Sequence, residues 1–105
     1  MRAFVSLRRR ADFSRLRQRG RRAAMEAFTL FADPQRPRER SVVGISVHKS
    51  VGVAVVRNRV RRRLAALLHE ALLGRQPERL LLVARPAAAE ASFEALRAQV
   101  RKALS

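Results

Sequence analysis

Residues 41–64 read Ser-Val-Val-Gly-Ile-Ser-Val-His-Lys-Ser-Val-Gly-Val-Ala-Val-Val-Arg-Asn-Arg-Val-Arg-Arg-Arg-Leu. Within them the hydrophobic period changes from two to that of a helix. Val43, Ile45 and Val47 alternate with smaller or polar residues, the pattern of a half-buried strand. Lys49-Ser50-Val51-Gly52 is a turn, and Val53-Ala54-Val55-Val56 reads as a short strand. From Arg57 onward Val60, Leu64, Leu67, Leu68 and Ala71 form an apolar stripe, so an amphipathic helix is expected to open at Arg57.

That helix starts with five arginines in Arg57-Asn58-Arg59-Val60-Arg61-Arg62-Arg63. A helix N-terminus carries partial positive charge and favours Asp or Glu, so cations placed there point to an external polyanion. At about 100° per residue, Arg61 lies to one side of the apolar stripe, Arg59 and Arg63 to the other, and Asn58 and Arg62 behind. The helix packs and presents charge at once. The whole chain agrees, with 24 Lys+Arg against 8 Asp+Glu and a formal charge of +16 on 105 residues. All the basic residues but Lys49 and Lys102 are arginines, whose planar forks grip phosphate bidentately. A G+C-rich genome produces the same arginine bias, and the two explanations stand side by side.

Outward from this core, residues 11–19 form a short helix with Phe13 and Leu16 on one face, and Gly20 is suited to a left-handed cap. Ala27–Ala32 is a β-prone segment that puts Phe28 and Leu30 on one face and Thr29 and Phe31 on the other. Two prolines and three arginines make residues 33–40 a loop. Leu80-Leu81-Leu82-Val83-Ala84 is an interior strand, and residues 88–104 carry Phe93, Leu96, Val100 and Leu104 at helical spacing with Glu90 and Glu94 in the first turns. The expected architecture is a single α+β domain over residues 1–105, a two-layer sandwich of helices on one small sheet.

Several functions are excluded. There is no phosphate-binding glycine loop, no nucleophile elbow and no carboxylate pair in a catalytic setting. Without cysteine there is neither a disulfide framework nor a thiolate metal site, which fits a reducing compartment. His48 and His69 lack metal-ligand spacing, so no metal site on the protein is expected. No apolar run approaches the roughly 20 residues that span a bilayer, so no membrane association is expected. The arginine-rich first 22 residues contain a helix that the fold needs, which argues against a cleaved transit peptide.

The segments Val43–Val47, Lys49, Val51-Gly52 and Ala54–Leu64 closely resemble the signature of the bacterial ribonuclease P protein subunit. Leu7, Asp12-Phe13, Gly20, the Phe28–Phe31 strand and Leu82–Pro86 before a final helix also sit where that family has counterparts. The resemblance implies the order α-β-β-β-α-β-α, with a small mixed sheet and a left-handed crossover between parallel strands, against the usual right-handed rule. It implies a monomeric, cytoplasmic protein that binds the ribonuclease P catalytic RNA and the 5′ leader of precursor tRNA. The RNA then carries the catalytic centre and the Mg2+, and the protein supplies neither a catalytic residue nor a cofactor.

By position the resemblance assigns Lys49, Arg57, Asn58, Arg59, Arg61, Arg62 and Arg63 to the catalytic RNA, and Phe13, Arg17 and Phe31 to the leader cleft. Arg17 stands where the family usually has an aromatic, exchanging stacking area for charge. Ser50 and Val53 replace residues that are often basic or polar, and His48 replaces a small hydroxyl. A ribosomal or general RNA-chaperone protein would share the size and charge and differ in lacking a specific ribozyme partner. A DNA-binding reading is disfavoured because no helix-turn-helix spacing precedes residue 57.

Overall fold

The computed structural model describes residues 2–105. Among these, the strands are β1 (Phe4–Ser6), β2 (Arg21–Ala24), β3 (Phe28–Ala32), β4 (Ser41–Ser46) and β5 (Arg79–Ala84). The helices are α1 (Arg10–Arg19), α2 (Ala54–Leu72) and α3 (Phe93–Leu104), with 3-10 turns at Lys49–Val51 and Pro86–Ala89. The strands make one mixed sheet in the order β1-β4-β5-β3-β2. β1, β4 and β5 run parallel, while β3 and β2 are antiparallel to their neighbours. The chain passes from β4 to its parallel neighbour β5 by way of α2.

β5 is central in the sheet and covered on both faces, which is why its sequence is an unbroken apolar run: Leu80, Leu81 and Leu82 are all fully buried. Alternation splits them between two cores. Leu80 and Leu82 join Phe28, Leu30 and Val43 beneath Val60, Leu64, Leu67 and Leu68 of α2 and Leu96, Val100 and Leu104 of α3. Burying each such side chain contributes roughly 1.5–3 kcal/mol. Leu81 faces the other way, against Leu7 and Leu16. The expected two-layer sandwich is the sheet with α2 and α3, and α1 lies on the sheet's opposite face.

Polar contacts lock these layers. Ser92 caps α3 by accepting from the Ala95 N–H at 3.0 Å, a contact worth about 1 kcal/mol. Arg97 of α3 forks onto both carboxylate oxygens of Glu70 on α2 at 2.9 and 3.2 Å, and also bonds Glu94. The Ala27 N–H donates to Gln99 Oε1 and the Ala3 N–H to His69 Nδ1, both at 2.8 Å. His69 is thereby a structural acceptor holding the chain just before β1 to α2.

Five sequence expectations need correction. Val53–Val56 is not a strand: Val53 and Val55 are 71% and 75% exposed, and the segment winds into α2, with the Arg57 N–H bonding Val53 O. The helix therefore opens at Ala54, and most of the arginine cluster lies beyond the first turn, where the dipole effect fades. The third strand between α1 and α2 is instead β2, whose Arg-Arg-Ala-Ala sequence has low strand propensity and forms because β3 offers it an open edge. β1, of three residues, precedes α1 and adds a strand to the expected order. Gly20 is extended (φ −68°, ψ 150°) and not left-handed; a Cβ there would sit 2.5 Å from Leu16 O. Finally α3 starts at Phe93, leaving Glu90 outside it after the Pro86–Ala89 turn.

Candidate nucleic-acid interface

The arginines of α2 sort by what they touch. Arg57 is half-buried and its Nε donates to Gly52 O at 3.1 Å, pinning the turn that carries Lys49. His48 caps that turn, its Nδ1 accepting from the Ser50 N–H at 3.1 Å, a job that a small hydroxyl could also perform. Arg59 reaches Ala89 O at 3.2 Å, and Arg61 donates to Asn58 Oδ1 at 3.1 Å. Asn58, Arg59, Arg61, Arg62 and Lys49 are exposed, and Arg63 is half-buried.

Among the described residues, none of these cations meets a carboxylate. The ion pairs join Arg15, Arg75, Arg79, Arg97 and Arg101 to Asp12, Asp33, Glu70, Glu78 and Glu94. Five of the eight acids are thus engaged elsewhere in the fold, and the basic face of α2 keeps its charge. Val55, Asn58, Arg61 and Arg62 line a shallow depression on it, so an exposed apolar surface lies among the guanidiniums.

On the other side of the sheet, α1 builds a second feature. Phe13 and Phe31 both pack against the cluster of Leu7, Leu16 and Leu81 and remain half-buried. Phe31 pairs in register with Leu81, and Leu81 with Gly44, making one row across β3, β5 and β4. The next row on the same face is Ala24, Thr29, Val83 and Ser46. With Leu16 facing the sheet, a turn of 100° per residue puts Arg15 on one flank of α1 and Arg17, beside Phe13, on the other. Arg15 pairs with Asp33 at 3.0 Å, so its flank faces the 33–40 loop, and Arg17 is exposed on the opposite flank, toward the Thr29–Val83 row.

Two residues of this region were not singled out from sequence. Asp33, whose side chain is only 11% exposed, takes Arg15 at 3.0 Å and Arg79 at 3.4 Å and so fixes α1 over the sheet. Gly44 leaves the space that Phe13 fills. A glycine inside an otherwise β-branched strand is the signal that could have found it. Phe13, Gly44 and Arg61 line a common cavity of about 250 Å³ at the β1–β4 edge. One arginine of the α2 motif therefore shares a cavity with one aromatic of the α1 cleft, whereas Phe31 and Arg62 do not line that cavity. No group of three or more His, Cys, Asp or Glu side chains converges among the described residues. What the fold presents is a row of exposed guanidiniums on α2 and, across the sheet, two half-buried aromatic faces, groups that can bind phosphodiesters and stack on bases.

A mixed sheet with an arginine-faced helix on one side and an aromatic cleft on the other defines a small basic α+β protein of the nucleic-acid-binding kind. The chain belongs to the ribonuclease P protein family, whose model, described as Ribonuclease P, matches residues 1–105. It is 43% identical to the ribonuclease P protein component of Thermobifida fusca, over 93% of this chain and 72% of that one. It is 42% identical to that of Acidothermus cellulolyticus, over 93% and 83%. The fold matches a Staphylococcus aureus RNase P protein mutant with defective mRNA degradation activity, with a TM-score of 0.84, 23% identity and coverage of 94% and 84%. It also matches the RNase P protein of Thermotoga maritima, with a TM-score of 0.75, 20% identity and 92% of each chain covered.

Proposed function

We propose that this protein is the basic subunit of a ribonuclease P ribonucleoprotein, binding the catalytic RNA and the 5′ leader of precursor tRNA while the RNA removes that leader. Residues 1–105 act as one unit, as a monomer, in the cytoplasm. Lys49, Asn58, Arg59, Arg61, Arg62 and Arg63 face the catalytic RNA, with Arg57 holding the Lys49 turn in place. Phe13, Arg17 and Phe31 receive the leader, since single-stranded RNA is gripped by aromatic stacking and backbone charge together. Mg2+ belongs to the RNA; what supports this is that no three acidic or histidine side chains converge among the described residues.

The observation that carries this reading is the uncompensated basic face of α2, whose Arg61 lines the same cavity as Phe13 of the aromatic cleft. Its test is the rate of precursor-tRNA cleavage by the cognate catalytic RNA at low magnesium, with and without the protein. Marked acceleration is expected. Absence of stimulation, together with equal binding to unrelated RNAs, would leave a general RNA chaperone instead.

A further inference from the structure

A third basic feature lies away from α2, at the free edge of β2. Arg21 and Arg22 from β2, Arg36 from the 33–40 loop and Arg75 from the turn after α2 converge on a cavity of about 400 Å³. That volume is in the ~300–1,000 Å³ range of ligand pockets. Glu78 is the one acid side chain in its lining, and Arg75 already pairs with it at 3.0 Å. Arg36 donates to the neutral Gln76 Oε1 at 3.1 Å, while Arg21 and Arg22 bond no side chain or carboxylate among the described residues. Even with a terminal carboxylate at Ser105, the guanidiniums outnumber the anions four to two.

Arginine on an edge strand also serves to block edge-to-edge pairing. That role accounts for Arg21 and Arg22 but not for the arrival of Arg36 and Arg75 from two other segments at the same cavity. Bringing four like charges together costs free energy that a bound anion offsets. The position of the cavity says which anion. Arg22 is the register partner of Phe31, so it stands at the end of the row Gly44–Leu81–Phe31 and also lines the cavity. The cavity opens on the α3 side of the sheet, where Leu30 and Leu104 also line it, and Phe31 points to the α1 side, so a strand stacked on Phe31 reaches the cavity by turning round the free edge of β2, past Arg22 and then to the other three.

We infer that the Arg21, Arg22, Arg36 and Arg75 cavity is a second phosphodiester subsite, holding the backbone of the leader nucleotides that have passed beyond the cleft. The subsite rests on the leader-binding reading above. It contacts backbone and not base edges, so it responds to leader length and not to leader sequence.

The test uses holoenzyme reconstituted with the cognate catalytic RNA and compares Arg21→Gln/Arg36→Gln with wild type, leaving Arg75 and its ion pair intact. Precursor tRNAs with leaders of about four and about twelve nucleotides bracket the usual span of a single-strand site. Wild type should bind the long leader better. The variant should lose about three- to tenfold for the long leader and nothing for the short one, with its salt slope on the long leader shallower by about 1.4 units for two lost phosphate contacts. Equal losses for both leaders, weaker binding of the catalytic RNA alone, or an unchanged slope would each overturn the subsite. If Phe31→Ala also leaves both leaders unaffected in the wild-type background, the cleft reading itself falls; if Phe31→Ala weakens both and the arginine variant weakens neither, only the subsite falls.

Discussion

Phe13 lies directly over Gly44: a Cβ at residue 44 would come within 2.9 Å of Phe13 Cε1 and 3.0 Å of Cζ and of Leu7 Cδ2. The ring thus rests on bare backbone in the middle of β4. This seats α1 close to the sheet, and Phe13 lines a cavity that Arg61 of α2 also lines.

Gly44→Ala should therefore push Phe13 out of place. Overpacking of this kind costs about 1–3 kcal/mol, measurable as a lowered midpoint in urea. Because α2 does not depend on this contact, binding to the catalytic RNA should be retained while leader affinity drops. A variant of wild-type stability and wild-type leader binding would show that α1 shifts freely over the sheet.

Arg59→Ala with Arg62→Ala removes two exposed cations from the face of α2. Arg59 gives up one bond to Ala89 O, a contact worth about 0.5–1.5 kcal/mol at most, so circular dichroism should be unchanged. If the pair neutralises about two phosphates, the log–log salt slope of catalytic-RNA binding should become shallower by about 1.4 to 1.8 units. An unchanged slope would make these arginines a solvated face.

Glu70 predicts an acid dependence of the α2–α3 contact. The hydrogen bonds from Arg97 hold its carboxyl below the ordinary glutamate range, aided by the charges of Arg97 and Arg101 and opposed by desolvation, and Arg97 is correspondingly raised. A carboxyl depressed by folding contributes stability above its unfolded pKa, about 4.3, and loses that contribution as pH falls through the depressed value. Wild type should be more stable than Glu70→Gln at neutral pH. The gap should close as the pH drops below about 4.3, followed by thermal melting across pH; a gap that persists in acid would mean that the ion pair contributes nothing.

The sequence disclosed the elements whose side chains carry the fold and concealed those held by neighbours. The helical stripe of Val60, Leu64, Leu67 and Leu68 and the run Leu80–Leu82 are legible because burial dictates their residue types. Arg21–Ala24 carries no such signal, since its register is imposed by β3, and Val53–Val56 carries a misleading one: β-branched residues with no strand to pair with begin a helix instead. At the candidate interface the residue types were readable and their division of labour was not. Nothing in Arg57-Asn58-Arg59 says that Arg57 turns back to Gly52, or that Asp33, far from the motif, sets the position of α1. Those depend on loop paths that only the folded chain defines.

Phe28 and Phe31 give the sharpest separation between core and cleft. Phe28 is fully buried beneath α2 and α3, whereas Phe31 points to the α1 side and stays half-buried against Leu16 and Leu81. Phe28→Ala should then cost on the order of 3 kcal/mol or more, and Phe31→Ala distinctly less. Phe31→Ala should instead weaken precursor-tRNA binding by roughly 1–3 kcal/mol of lost stacking and spare mature tRNA, which has no leader. Titrating both tRNAs against the reconstituted holoenzyme decides the matter. Equal losses for the two would remove Phe31 from the leader path, and a melting-temperature drop matching that of Phe28→Ala would make it a core residue of the α1 layer.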